Sequence, residues 1–362
     1  MTLLFSPLTL GKLKLVNRLC VPPMCQYRAK DGVLQAWHRV HYGKLAGSGA
    51  GLVVVEATAV TPEGRITPAC LGLWNDEQTE AFKALTSECR AVSPETKLMI
   101  QLSHSGRKGS RTVPWEESRF LTLQEGGFAI EAPSAVTCGE PESLPREMTE
   151  DDIHRVIEAF AAAAKRAQAA GFDGIQIHAA HGYLIHEFLS PVTNRRTDGW
   201  GGSLENRMRF GLAVIKAVRE TVPDMALAVR VSATDWIDGG WTVEDTVAFL
   251  KAAKALGCDA ADVSAGGLDK AQQMPELKPG YQVEYARVVK KETGLVTFAV
   301  GLIKEPLQAE AILPARDAAG IRVVRRTGPA RHGGLSAALP SGLLIFLRFL
   351  SISAKAQCPW HG

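Results

Sequence analysis

The chain has 362 residues, of which 46% are hydrophobic and 22% charged, with a formal charge of +3. A chain of this size and composition supports a large buried core, which excludes intrinsic disorder. The near-neutral balance gives no reason to expect nucleic acid or an anionic membrane as partner, and no apolar run is long enough for a membrane span.

The N-terminal "MTLLFSPLTLGKLKLVNR" has neither the apolar stretch nor the cleavage site of a signal peptide, and residues 3–16 are expected to form a hairpin. Apolar, β-branched runs then recur: "RLCVPPM" (18–24), "GLVVVEATAV" (51–60), "KLMIQLSH" (97–104), "DGIQIHAA" (173–180), "MALAVRVSAT" (225–234), "DAADVSAGG" (259–267) and "LVTFAVGL" (295–302). They are continuously apolar rather than alternating, as parallel strands covered on both faces are. Helices separate them. One opens on a Thr149/Asp152 capping pair and ends at Gly171; another opens on Thr242/Asp245 and ends at Gly257. Residues 105–147, rich in Gly, Pro, Ser and Glu, are too long for a plain loop and read as a lid or subdomain inserted after the third strand. From Ala318 to the end there is no Asp or Glu; "AGIRVV" (319–324) is the candidate eighth strand, an open point, and "LPSGLLIFLRFLSIS" (339–353) is too short and broken by Arg348 to span a bilayer. The seven cysteines lack metal-ligand spacing and read as reduced thiols, so a cytoplasmic protein is expected.

Strict alternation of strand and helix leaves a (β/α)8 barrel or an open doubly wound sheet. No G-x-G-x-x-G follows the first strand, and polar residues gather at strand C-terminal ends: Cys25, Tyr27, Glu56, Thr58, Gln101, His104, His178, His181, Arg230, Asp235, Ser264 and Gly301. Barrel active sites are built from that rim, so the expected fold is an α/β (β/α)8 TIM barrel. His178 and His181, three apart, are open to two readings. With a third ligand such as His104, Glu187 or Asp235 they could bind zinc, although no spacing argues for one. As neutral imidazoles they could instead hold an oxygen that gains negative charge, with Tyr183 close by as a proton donor.

The motifs "PPMCQY" (22–27), "GAGLVVVEATAVTPEGRIT" (49–67), "IQLSHSGRK" (100–108), "IHAAHGYLIHEFLSP" (177–191), "NRRTDGWGGSLENRMRF" (194–210) and "VRVSATDW" (229–236) run in one order along residues 3–313. Together the chain resembles the old yellow enzyme family of FMN-dependent ene-reductases, in particular the xenobiotic reductase and thermophilic-like branch. The resemblance implies a TIM barrel carrying FMN at its rim, NADPH or NADH as hydride donor, a small-molecule enone or nitro substrate, and no metal. It assigns the substrate oxygen to His178 and His181, the proton to Tyr183, and the pocket wall to Tyr27 and Trp236. It assigns flavin contacts to Pro22, Pro23, Met24, Cys25, Ala57, Gln101 and Arg230, and a phosphate contact to the Gly301 backbone. Relatives of this branch often dimerise, which leaves homodimer or tetramer as the assembly.

The likeness stops at residue 313. The family's eighth strand ends in a Gly-Arg pair that binds phosphate; here Arg325 or Arg326 lies nearby but in the wrong order, and Trp200 stands where a tyrosine is usual. The expected organisation is therefore a barrel over 1–313 and an atypical tail over 314–362, from a shifted reading frame or from divergence. Without an eighth strand, the first and seventh would be exposed edges. Three other functions stay in view: an enoate or dienoyl-CoA-type reductase on the same barrel, a flavin-depleted inactive homologue, and a zinc hydrolase.

Overall fold

Whether the barrel closes rests on three residues near the end of the described chain. The computed structural model describes residues 2–313 and 319–322. Its elements begin with a hairpin, β1 (Leu8–Leu10) and β2 (Leu13–Leu15), followed by β3 (Leu19–Val21), α1 (Ala36–Ala46), β4 (Leu52–Ala59), α2 (Asp76–Val92) and β5 (Lys97–Ser103). The insertion holds β6 (Glu131–Ala132) and β7 (Arg146–Glu147). Then come α3 (Glu150–Ala169), β8 (Gly174–Ala179), α4 (Leu184–Leu189), α5 (Leu204–Thr221), β9 (Ala226–Ser232), α6 (Val243–Ala255), β10 (Ala260–Ser264), α7 (Val283–Thr293), β11 (Val296–Ala299), α8 (Pro306–Ile312) and β12 (Gly320–Arg322).

Eight of these strands close a barrel in the order β10-β11-β12-β3-β4-β5-β8-β9, all pairs parallel. The seven strands expected from sequence are all present. The open eighth is Gly320–Arg322, with Phe298 opposite Gly320 on one side and Leu19 opposite Ile321 on the other. The exposed edges expected for a seven-stranded sheet are therefore not there: β3 and β11 both pair with β12. Arg325, Arg326 and most of the expected atypical tail lie outside the described residues.

The strands read as uniformly apolar because both faces are covered. All eight residues of β4 and all six of β8 are buried. The outer faces pack on helices through Phe160, Phe210 and Phe249, none of them exposed. Each such burial contributes about 1.5–3 kcal/mol. The hairpin β1–β2 covers the end where the strands begin: Leu8, Leu10 and Leu15 pack with Leu52, Ala226, Ala260 and Phe298. The opposite end, where the strands finish, is left for the rim residues.

Candidate active site

A layer of polar side chains crosses the barrel interior below the rim. Gln101 Nε2 donates to Gln176 Oε1 at 2.7 Å, and Gln176 Nε2 donates to Asp262 Oδ2 at 3.0 Å. The same oxygen receives Arg322 Nη1 and lies 3.5 Å from Arg230 Nε. Sheet register explains the gathering: Gln101 faces Gln176, and His178, Arg230 and Asp262 face one another across β8, β9 and β10. Two guanidiniums thus share one carboxylate. Burial, then Arg322, lowers Arg230 to about 10, which still leaves it cationic near neutrality.

Above this layer stand His178, His181 and Tyr183. The His178 ring lies 5.3 Å from that of His181 and 4.9 Å from that of Tyr183, both edge-to-face. His178 is buried and its protonation is pushed well below the ordinary range, by burial first and then by Arg230 and Arg322. It is a neutral imidazole. His181 Nε2 is 2.8 Å from Ser264 Oγ.

The turn that presents His181 and Tyr183 is unusual: His181 has φ +59° and Gly182 φ +71°. A left-handed non-glycine residue needs outside support. His181 N–H donates to Ser232 Oγ at 2.9 Å, and Lys108 Nζ donates to the His181 carbonyl at 2.9 Å and to that of Gly267. A side chain on Gly182 would meet the Gly267 carbonyl at 2.6 Å, so only glycine fits there.

The remaining sequence-derived candidates surround this group at the ends of their strands. Pro22 is buried, Pro23, Met24 and Cys25 are half-buried, and Tyr27 is buried with φ +50°. Tyr27 meets Trp115 of the insertion edge-to-face at 6.2 Å, which brings the 105–147 segment to the rim. Gln26 N–H donates to Glu56 Oε2 at 2.7 Å, and Tyr42 Oη donates to Glu56 Oε1 at 2.9 Å. Glu56 is the irregular residue where β4 slips register against β5, between Val55 and Ala57, and its own N–H is satisfied by Tyr42 Oη. The slip leaves Ala57 opposite Gln101. Trp236, φ +57°, donates from Nε1 to Tyr285 Oη at 2.9 Å. At Gly301, φ +115°, a Cβ would lie 2.9 Å from the Gln282 backbone nitrogen, so the glycine admits a neighbouring segment of this chain.

His178 and His181 belong to no close cluster of metal-ligating groups among the described residues. The cluster found is Glu63, His104 and Glu131. Arg155 bridges its two carboxylates, donating to Glu63 at 2.6 Å and to Glu131 at 2.8 Å, which makes it a salt-bridged joint between insertion, rim and α3. Sequence reasoning placed Glu56 at the rim but missed its pairing with Tyr42, and it missed the supports Lys108, Ser232 and Arg322. Each lies far along the chain from what it holds, so no local spacing marks it.

The chain matches the NADH:flavin oxidoreductase / NADH oxidase family over residues 3–327. An NADH:flavin oxidoreductase of Gibberella zeae is 44% identical over 342 residues, covering 90% of this chain and 81% of that one. The NADPH dehydrogenase of Geobacillus thermodenitrificans is 45% identical over 314 residues, covering 86% of each. Among solved structures, morphinone reductase superposes with a TM-score of 0.73 at 26% identity, covering 89% of this chain and 85% of that one. A 2-naphthoyl-CoA reductase gives 0.78 at 26% identity, covering 88% of this chain but 50% of that one.

The fold and these likenesses define a TIM-barrel oxidoreductase. The chain belongs to the NADH:flavin oxidoreductase / NADH oxidase family, in its old yellow enzyme group, and is an NAD(P)H-dependent oxidoreductase with FMN as cofactor. The mouth fits such a group. Among the described residues Arg230 Nε and His178 Nδ1 have no hydrogen-bond partner, and the layer carries one more guanidinium than carboxylate. Unused donors and a net positive charge suit an electron-rich ring system. Among the described residues no helix is long and apolar enough to cross a membrane.

Proposed function

We propose that this site reduces activated C=C bonds of α,β-unsaturated carbonyl or nitro compounds. The carrying observation is the neutral His178 set edge-on to both His181 and Tyr183 at the barrel mouth. FMN held at this mouth would supply the hydride chemistry, linking NAD(P)H as donor to the β-carbon of the alkene as acceptor. The protein's part is electrostatic and acid catalysis. His178 and His181 donate hydrogen bonds to the substrate oxygen, and they strengthen as that oxygen gains charge. Burial keeps His178 neutral, and a neutral imidazole is too weak an acid to give up its proton, so it hydrogen-bonds the oxygen while the proton transfer is left to Tyr183. Tyr183 holds the proton for the α-carbon on its phenol. Tyr27 and Trp236 wall the pocket, while Pro22, Pro23, Met24, Cys25, Ala57 and Gln101 line the cofactor's side. Arg230 would hold the cofactor's ring system with its positive charge, and the Gly301 backbone would hold its phosphate.

Tyr183→Phe tests this directly. Stopped-flow should show 2-cyclohexenone reduction slowed by about 100-fold, the scale of general acid catalysis, with flavin reduction by NADPH little changed. Equal slowing of both half-reactions would remove Tyr183 from the acid role. The structural likeness to a CoA-ester reductase keeps a second reading in play, a 2-enoyl-CoA substrate, and turnover of crotonyl-CoA faster than of cyclohexenone would favour it.

The family match runs to residue 327, but the Gly-Arg pair that the resemblance assigns to the phosphate does not occur after residue 313 in this sequence. We therefore expect weaker FMN retention than in relatives with the Gly-Arg pair. Absorbance after exhaustive dialysis should give well under one flavin per chain, and full occupancy would refute the expectation.

A further inference from the structure

The turn carrying His181 and Tyr183 has one anchor that the substrate chemistry does not use. Gly182 N–H donates to His186 Nδ1 at 2.9 Å. That bond requires Nδ1 to be the bare nitrogen and Nε2 to carry the proton. His186 Nε2 lies 2.8 Å from Asp235 Oδ1, and neither side chain has any exposure. The contact is too far off-axis to count as a formed hydrogen bond, and among the described residues neither atom has a hydrogen-bond partner, so each is the only polar group the other faces at close range. The other carboxylate oxygen, Oδ2, is taken: Ser190 Oγ donates to it at 2.6 Å and the Trp241 backbone N–H at 2.8 Å. Asp235 follows β9, His186 sits in α4, and Gly182 lies between the two residues assigned to substrate.

We infer that Asp235 and His186 are positioning residues: the carboxylate fixes the His186 tautomer, and that tautomer holds the Gly182 amide and so the left-handed turn that aims His181 and Tyr183. This rests on the substrate reading above for its effect on catalysis, but not for the tautomer itself. The backbone needs this help. His181 occupies a conformation that costs a non-glycine residue of order 1–3 kcal/mol and persists only when its surroundings over-determine it. The Gly182 amide, like any buried backbone donor, must also find a partner.

Asp235→Asn separates tautomer from packing. Ser190 and Trp241 hold the amide oxygen in the place of Oδ2, so the new NH2 faces His186 Nε2. The ring then accepts at Nε2 and moves its proton to Nδ1, where it confronts the Gly182 N–H. In FMN-loaded protein with 15N-labelled histidine, the wild type should show His186 protonated at Nε2. The variant should show the proton at Nδ1, faster exchange of the Gly182 amide, and binding of 4-hydroxybenzaldehyde weaker by about tenfold, the scale on which supporting hydrogen bonds act. A swapped tautomer with unchanged phenol affinity and Gly182 exchange would overturn the proposal, as would an unswapped one. Should the Asp235→Asn variant fail to fold, His186→Asn against His186→Leu decides. Asn keeps an acceptor where Nδ1 stood and should recover most of the phenol affinity, Leu should not, and equal affinities would overturn the proposal. His181→Ala is the separate control: unchanged phenol affinity there sinks the substrate reading while leaving the tautomer result standing.

Discussion

Ser264 decides how His181 meets a ligand. With Nε2 paired to the Ser264 hydroxyl at 2.8 Å, the imidazole is held in one ring orientation before substrate arrives. Ser264→Ala removes that partner without adding volume. A net hydrogen bond of about 1 kcal/mol corresponds to a five-fold change, so phenol affinity should fall by about that factor while the flavin content stays the same. Titration by difference absorbance checks it; unaltered affinity would mean that His181 is oriented by its backbone alone. The difference between what was and was not legible at this scale is one of sequence distance. His178, His181 and Tyr183 could be read because three chemically able side chains fall within six residues. Ser264 could be placed at the rim and Lys108 in a motif, but they act on this turn from 83 and 73 residues away, and their sequence neighbourhoods do not say so.

Elements were legible where the signal was local. The capping pairs at Thr149/Asp152 and Thr242/Asp245 are both formed, each Thr hydroxyl accepting the N–H three residues on. The helices they open run Glu150–Ala169 and Val243–Ala255, inside the expected bounds. Strand ends were overextended in sequence because the rim residues keep an extended, apolar character after the ladder stops, as "PPM" does past Val21. The eighth strand was hard to read because it is three residues long and one of them is Arg322, a buried cation whose justification is Asp262 on β10. The caps carry their own prediction. Thr242→Ala should destabilise by about 1 kcal/mol, since the Asp245 N–H loses its side-chain acceptor while the Thr242 backbone N–H still donates to the Asp245 carboxylate. Urea unfolding reads this as a lower midpoint at constant slope. No shift would show that packing of Phe249 and Leu250, both without exposure, sets the helix start by itself.

At the scale of the whole molecule, buried ionisable groups tie stability to pH from both sides. His38 accepts the Gln35 N–H at Nδ1 and is lowered from 6.5 to about 4, chiefly by burial; His178 is lowered as well, again by burial first. Between those values the unfolded chain binds protons that the folded one refuses, so stability falls as pH drops from 6.5 towards 4. Glu56 behaves oppositely. Burial raises it from 4.5 to about 8, against the pull of the Gln26 amide and the Tyr42 hydroxyl. Between 4.5 and 8 the folded state holds a proton that the unfolded one has lost, so stability falls as pH rises through that window. The unfolded histidines are half protonated at 6.5 and nearly all neutral by about 7.5, so their opposing slope fades over that unit and the carboxyl groups dominate towards 8. Glu187, also raised to about 8 by burial, contributes in the same window. Glu56→Gln keeps an oxygen that can accept one of the two hydrogen bonds and cannot ionise. From pH 6.5 to 8 the melting temperature should therefore fall more steeply, or rise less, in the wild type than in Glu56→Gln, the histidine and Glu187 contributions being common to both. A parallel course in both proteins would mean that Glu56 is already ionised in the folded barrel, with the Gln26 and Tyr42 bonds outweighing its burial.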